Sequence, residues 1–218
     1  MAMATIKVLI ADDHDLMRRG IKAIIDTKKG WEICAEAQTG TQAVAKAKEL
    51  KPDIAILDIT MPELNGLEAA KRIQKVSEKT EILMLSVHYS DQLIREVIEA
   101  GIRGYIVKSD SDRDLSIALD NLAIHKPFFA PRVTEVILNS STGRASAPTE
   151  GPRTRITSRE REIVQLLSEG KSSKEVAVLL NISVKTAETH RANIMRKLQM
   201  HTVSELVRYA VRNRIIEA

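Results

Sequence analysis

Asp12 and Asp13 are adjacent acids that stand directly after the apolar run "VLIA" of residues 8–11, and Asp58 stands directly after "IAIL" of residues 54–57. Carboxylates held close together repel one another unless a cation sits among them. Three such groups suit a hard ion such as Mg2+, which prefers oxygen ligands and keeps some of its waters. The ion in turn neutralises an incoming phosphate, and a carboxylate can attack phosphorus to give an aspartyl-phosphate. Ser86 follows "ILML" and Lys108 follows "GYIV". Their hydroxyl and ammonium groups supply a hydrogen-bond partner and a point charge for phosphoryl oxygens. Singly, each residue also has a bland role, as helix cap, loop start, strand end or solvated charge. Placed together at the ends of four apolar runs, they point to phosphoryl chemistry.

Those runs belong to a regular alternation. Short β-rich stretches at 7–11, 32–37, 53–57, 82–85 and 104–107 are separated by segments such as "LMRRGIKAII", "GTQAVAKAKEL", "GLEAAKRIQKV" and "DQLIREVIEAG", whose apolar residues recur at three and four. The alternation predicts an α/β domain with a doubly wound, five-stranded parallel sheet of flavodoxin-like type. In such sheets ligands collect outside the carboxyl ends of the strands, where strand order reverses. All the residues singled out above would meet in that crevice.

The stretch "NSSTGRASAPTEGPR", residues 139–153, has the composition of a mobile linker. We divide the chain into a first domain at 1–126, a connecting segment at 127–154 and a second domain at 155–218. Charge divides in the same way: residues 1–140 carry a net of −2 and residues 141–218 a net of +6. A basic tail suggests a polyanion partner. The single cysteine, Cys34, agrees with a reducing compartment and reads as core filling. No apolar stretch is long enough to span a bilayer or to act as a signal, so a cytoplasmic protein without membrane contact is expected.

In the tail, Thr157 with Glu160, Ser172 with Glu175 and Thr202 with Glu205 fit the capping-box spacing, and Ser183 is a further N-cap. Four short helices follow. Ile163, Leu166, Leu167, Val176, Ala177, Leu179, Leu180, Ile194, Leu198, Leu206, Val207 and Ala210 are their predicted core. A helix over about 184–198, preceded by a tight turn, has helix-turn-helix layout. Lys185, Arg191, Arg196 and Lys197 fall on or near its exposed side, with Lys174 near the start of the helix before it.

"VLIADDHDLMRRGI", "DIAILDITMPELNGLEAAKRI", "ILMLS" and "GYIVKS" resemble the receiver domain of two-component response regulators over residues 5–124. Residues 155–218, with "ITSREREIVQLLSEGKSSKEVAVLLNISVKTAETHRANIMRKLQ", resemble the LuxR-type helix-turn-helix, and a receiver followed by that module is the arrangement of the NarL/FixJ family. The resemblance implies that Asp58 is the phosphoacceptor and that Asp12, Asp13 and Asp58 hold Mg2+. It makes Ser86 and Lys108 the phosphoryl-contacting switch residues and places Tyr105 at the aromatic switch position. Ser109 stands where many receivers have proline, and Thr60 and His88 occupy variable positions that tune phosphate lifetime. In the tail, Glu188, Thr189 and Ala192 would face bases, where Glu188 accepts from a cytosine amino group or pairs instead with Arg191 or Lys185. Val203, Leu206, Val207, Ala210 and Val211 of the last helix would serve dimerisation.

The function expected is a DNA-binding regulator that is phosphorylated on Asp58 by a sensor histidine kinase and dimerises on double-stranded DNA. It is not an enzyme, apart from self-phosphorylation from a phosphodonor and slow hydrolysis of its aspartyl-phosphate. The alternatives are a phosphorylation-independent transcription factor with a vestigial receiver, and an aspartyl-phosphate phosphatase.

Overall fold

The computed structural model describes residues 5–87, 89–109, 112–131, 133–135 and 156–216. His88 and the linker stretch 139–153 lie outside these residues. The chain forms two compact units.

The first unit is a parallel sheet with helices on both faces. Its strands are β1 (Ile6–Ala11), β2 (Trp31–Ala37), β3 (Ile54–Asp58), β4 (Glu81–Ser86), β5 (Gly104–Val107) and β6 (Phe128–Phe129), in the order β2-β1-β3-β4-β5-β6. Helices α1 (Asp15–Asp26), α2 (Gly40–Leu50), α3 (Gly66–Val76), α4 (Asp91–Glu99) and α5 (Asp112–Ala123) connect them. The strands are apolar on both sides because both sides are covered. Leu9, Ala11, Ala55, Leu57, Met84 and Tyr105 pack with Ala43, Ala47, Leu67, Ile73 and Val97 of α2, α3 and α4. Val8, Ile10, Ile54, Ile56, Leu83 and Ile106 face the other way, onto Ile21 and Ile25 of α1 and Leu115, Leu119 and Leu122 of α5.

Strand order reverses at β1, which lies between β2 and β3, so Asp12 and Asp58 end neighbouring strands at the switch point. The sheet has six strands rather than the five expected. The addition is two residues long, too short for any period to show, and exists by pairing Phe128 with Gly104 and Phe129 with Tyr105 along the edge of β5. The two rings then fall on opposite faces and join opposite cores.

The return from β3 to α3 runs unusually close to the strand. The Gly66 amide donates to the carbonyl of Ile59 at 2.8 Å. A β-carbon at residue 66 would lie 1.9 Å from the carbonyl oxygen of Asp58. Only glycine lets the helix start so near that strand end.

The second unit holds α6 (Ser158–Ser168), α7 (Ser173–Leu179), α8 (Val184–Lys197) and α9 (Val203–Arg212). All three capping boxes form, and the Ser183 hydroxyl accepts from the Thr186 amide at 3.0 Å. Each such cap stabilises its helix by about 1 kcal/mol. Ile163, Leu166, Val176, Ala177, Ala187, Ile194, Leu206, Ala210 and Ile215 form the core. Leu179 is a correction: it is 47% exposed. In two turns of helix the inward side of α7 is filled by Val176 and Ala177, with Leu180 beyond its end packed against the same core.

Candidate functional site

Asp12 and Asp58 are both fully buried at the carboxyl ends of β1 and β3. Asp12 Oδ1 accepts the His14 amide at 2.8 Å, and Asp58 Oδ1 accepts the Ile59 amide at 2.8 Å. Their other oxygens face Lys108, whose Nζ lies 2.9 Å from Asp12 Oδ2 and 3.0 Å from Asp58 Oδ2. Lys108 thus bridges the two buried carboxylates through one oxygen of each. Asp13 is more open, with Oδ1 3.0 Å from His14 Nδ1. Asp12, Asp13, His14 and Asp58 each offer a ligand atom, all within 4.8 Å of one another.

The electrostatics follow from burial. Desolvation, reinforced by the Asp12 charge, pushes the Asp58 carboxyl up to about 6 against the opposing pull of Lys108. Burial pulls Lys108 down, but the charges of Asp58 and Asp12 outweigh it, so its pKa is raised and it stays an ammonium. One buried cation thus serves two buried acids, with a third carboxylate at the rim.

Ser86 closes β4 and is buried, and its carbonyl accepts the Lys108 amide at 2.7 Å. The acids, the hydroxyl and the lysine therefore end four adjacent strands. Tyr105 differs from a residue waiting to turn inward: it is already fully buried in the core with Met84 opposite it in register.

The sequence reading missed Arg18 and Gly66. Arg18 is buried on α1, where Nη1 donates to the carbonyl of Asp12 at 3.0 Å and Nη2 to Asp15 Oδ1 at 2.9 Å, while Nε lies 3.4 Å from Glu36 Oε2. It ties the end of β1 to the start of α1 and to β2. The spacing of Asp15 and Arg18 signals a helix-face pair but not the carbonyl it reaches. Replacing Arg18 by Met leaves that carbonyl without its donor, and a loss of roughly 1–3 kcal/mol is expected in the urea unfolding midpoint.

On the second unit, Lys174, Lys185, Glu188, Thr189, Arg191, Ala192 and Arg196 are exposed. Glu188 pairs with neither Arg191 nor Lys185 among the described residues. Lys197 is drawn in differently: its Nζ lies 2.7 Å from Glu160 Oε2, which joins the end of α8 to the start of α6. Partial burial raises the Glu160 pKa, but hydrogen bonds from Lys197 and the Thr157 amide hold it below its ordinary range. Leu206 and Ala210, read both as core and as dimer-face residues, are buried in the core of their own unit. Val203, at the start of α9, is exposed, and Val207 and Val211 flank the buried stripe and are half-buried.

The family profile described as the response regulator receiver domain matches residues 8–120, and that of bacterial regulatory proteins of the luxR family matches residues 154–210. The response regulator protein VraR of Staphylococcus aureus is 34% identical over 213 residues, covering 98% of this chain and 100% of VraR. The RcsB response regulator of Salmonella typhimurium, solved in work on conformational dynamism for DNA interaction, is 25% identical with a TM-score of 0.60, covering 96% of this chain and 100% of its own. A LuxR-family two-component response regulator from Aurantimonas sp. SI85-9A1 is 27% identical with a TM-score of 0.60, over 64% of this chain and 99% of its own. No helix among the described residues is long and apolar enough to cross a membrane. With an acid crevice on the sheet-bearing half and a helix-turn-helix on the other, each matched by its own profile, the chain belongs to the response regulators that join a receiver domain to a LuxR-type DNA-binding domain.

Proposed function

We propose that Asp58 accepts a phosphoryl group from a sensor histidine kinase, and that the change in the crevice governs dimerisation and promoter binding by the helical domain. One observation carries this reading: a single ammonium, Lys108, is shared between two fully buried carboxylates, with Asp13 a third acid at the rim. Acids so placed fit a cation, so Asp12, Asp13 and Asp58 would hold Mg2+. When bound, the ion neutralises the acids and screens the incoming phosphoryl oxygens.

Asp58 Oδ1 is engaged by the Ile59 amide, which leaves Oδ2 with lone pairs to attack phosphorus. The oxygen–phosphorus bond forms as the bond from phosphorus to the donor breaks, and that electron pair leaves with the donor. Lys108 then turns to the phosphoryl oxygens, and Ser86 offers them its hydroxyl. Because the Lys108 amide is bonded to the Ser86 carbonyl, a shift at one strand end reaches the other and biases the surface around β4 and β5. Tyr105, already buried, has no inward travel to make.

In the helical domain, Lys174, Lys185, Arg191 and Arg196 contact DNA phosphates, while Glu188, Thr189 and Ala192 of α8 face base edges in the major groove. Lys197 belongs to the same phosphate-contacting set, its part-exposed ion pair with Glu160 being open to exchange for a phosphate. Val203, Val207 and Val211 form the dimer face. This activity belongs to the cytoplasm, where duplex DNA and the kinase's catalytic side meet. The phosphatase alternative has no support in a chain of this family.

Incubation with a small phosphodonor and Mg2+ is expected to add one phosphoryl group to the wild type by intact mass and none to Asp58→Ala. The modified wild type is also expected to bind duplex DNA more tightly than Asp58→Ala. A wild type that gains no phosphate would leave the phosphorylation-independent regulator as the better reading.

A further inference from the structure

We propose that α8 reads pyrimidines: Glu188 selects cytosine through its amino group and excludes guanine, while Thr189 and Ala192 select thymine through its methyl group. This rests on the placement of α8 in the major groove proposed above and names the bases that the helix favours. Burial fixes which side of α8 is available. Ala187 and Ile194 are buried in the core of the helical unit. At about 3.6 residues per turn, the opposite side carries Lys185, Thr189, Ala192 and Arg196, with Glu188 beside them, all exposed. The two ends of that ridge are basic and suit phosphates on the groove walls. Its middle holds no cation.

The chemistry of that middle is one-sided. Thr189 Oγ1 donates to the Lys185 carbonyl at 2.8 Å, so its hydroxyl hydrogen is taken up within the helix and a methyl group and lone pairs remain for a base. Ala192 offers a methyl group alone. The Glu188 carboxylate pairs with neither Lys185 nor Arg191 among the described residues, so it stays available. Acceptors and methyl groups are therefore present without a free donor. In the major groove guanine shows two acceptors, adenine an acceptor beside its amino group, thymine an acceptor and a methyl group, and cytosine an amino donor alone. A carboxylate only accepts, so it fits cytosine, is repelled by guanine and meets an opposing acceptor on adenine. It also lies between phosphate-lined walls, which weakens binding to every duplex that fails to present that amino group. The acid thus lowers affinity and raises discrimination.

The test selects bound duplexes from a random pool with the full chain at low salt, followed by affinity measurements on single-base variants of the selected site. Wild-type sites are expected to carry a cytosine with thymine nearby, and replacing that cytosine by guanine is expected to weaken binding about tenfold or more. Glu188→Ala is expected to lose the cytosine preference at that position alone and to bind duplexes of unrelated sequence more tightly than the wild type, a gain that a merely structural residue does not produce. Glu188→Gln, which offers a donor and an acceptor, is expected to select adenine there. Thr189→Ser is expected to lose the thymine preference and Thr189→Val to keep it. Glu188→Ala selecting the same sites as the wild type, guanine at the position that Glu188→Ala alters, or the reverse pattern in the two Thr189 variants would overturn the proposal while leaving DNA binding standing. A wild type that selects no duplex would overturn both this inference and the placement of α8 beneath it.

Discussion

Asp58→Asn is expected to make the metal-free protein more stable than the wild type, on the order of 2–3 kcal/mol at pH 7, with the advantage fading toward pH 4. Burial lifts the Asp58 carboxyl from 3.8 to about 6 in the folded state. Between these values the native protein holds a proton that the unfolded chain has released, so stability falls as pH rises through the window. Above the folded pKa the penalty is complete, because the native state must keep a charge in a dry crevice. Asparagine removes that charge and keeps an oxygen for the Ile59 amide, while Lys108 retains Asp12 Oδ2 at 2.9 Å. Urea melts of both proteins between about pH 4.5 and 7.5 check this. A difference that does not vary with pH would mean that desolvation of Asp58 is not what the site stores. Millimolar magnesium should narrow the gap, since an ion that binds the wild type alone stabilises it alone. The receiver would then hold, at its phosphoacceptor, an instability that a cation relieves.

Gly66→Ala is expected to damage both fold and site. The added methyl would stand 1.9 Å from the Asp58 carbonyl oxygen, 2.8 Å from its carbonyl carbon and 3.1 Å from the Ile59 α-carbon. All three are backbone atoms, so no rotamer change relieves the clash. Either α3 retreats, breaking the 2.8 Å bond from the Gly66 amide to Ile59, or the end of β3 moves and takes Asp58 out of reach of Lys108. Overpacking of this kind costs roughly 1–3 kcal/mol, and more where backbone must shift. We expect a lowered urea midpoint and a phosphorylation rate from a small donor reduced at least about tenfold, both measured on the full chain. Full-rate phosphorylation of this variant would show that the close approach of α3 is not needed to aim Asp58.

The two effects share a cause. Asp58 sits where a strand ends, a helix begins within contact distance and a lysine arrives from two strands away. Its reactivity is set by burial and by the two donors those segments bring to it, the Ile59 amide on Oδ1 and the Lys108 ammonium on Oδ2.

Much of this was legible in the sequence because it is local. Uninterrupted apolar runs mark strands covered on both faces, and the polar residue that ends each run must lie at a strand end, which placed Asp12, Asp58, Ser86 and Lys108 in one crevice. The capping boxes were readable for the same reason, since a Thr or Ser and a Glu three residues later find each other within one turn. Tertiary structure alone decided the rest. It set the sharing of Lys108 between Asp12 and Asp58, the reach of Arg18 to the Asp12 carbonyl and the bare approach at Gly66. It also added β6, which exists only because β5 offers an edge, and sent Lys197 to Glu160. The physical reason is range: spacing along the chain fixes the contacts a residue makes within a turn or along a strand, whereas partners dozens of residues away are chosen by how whole elements pack.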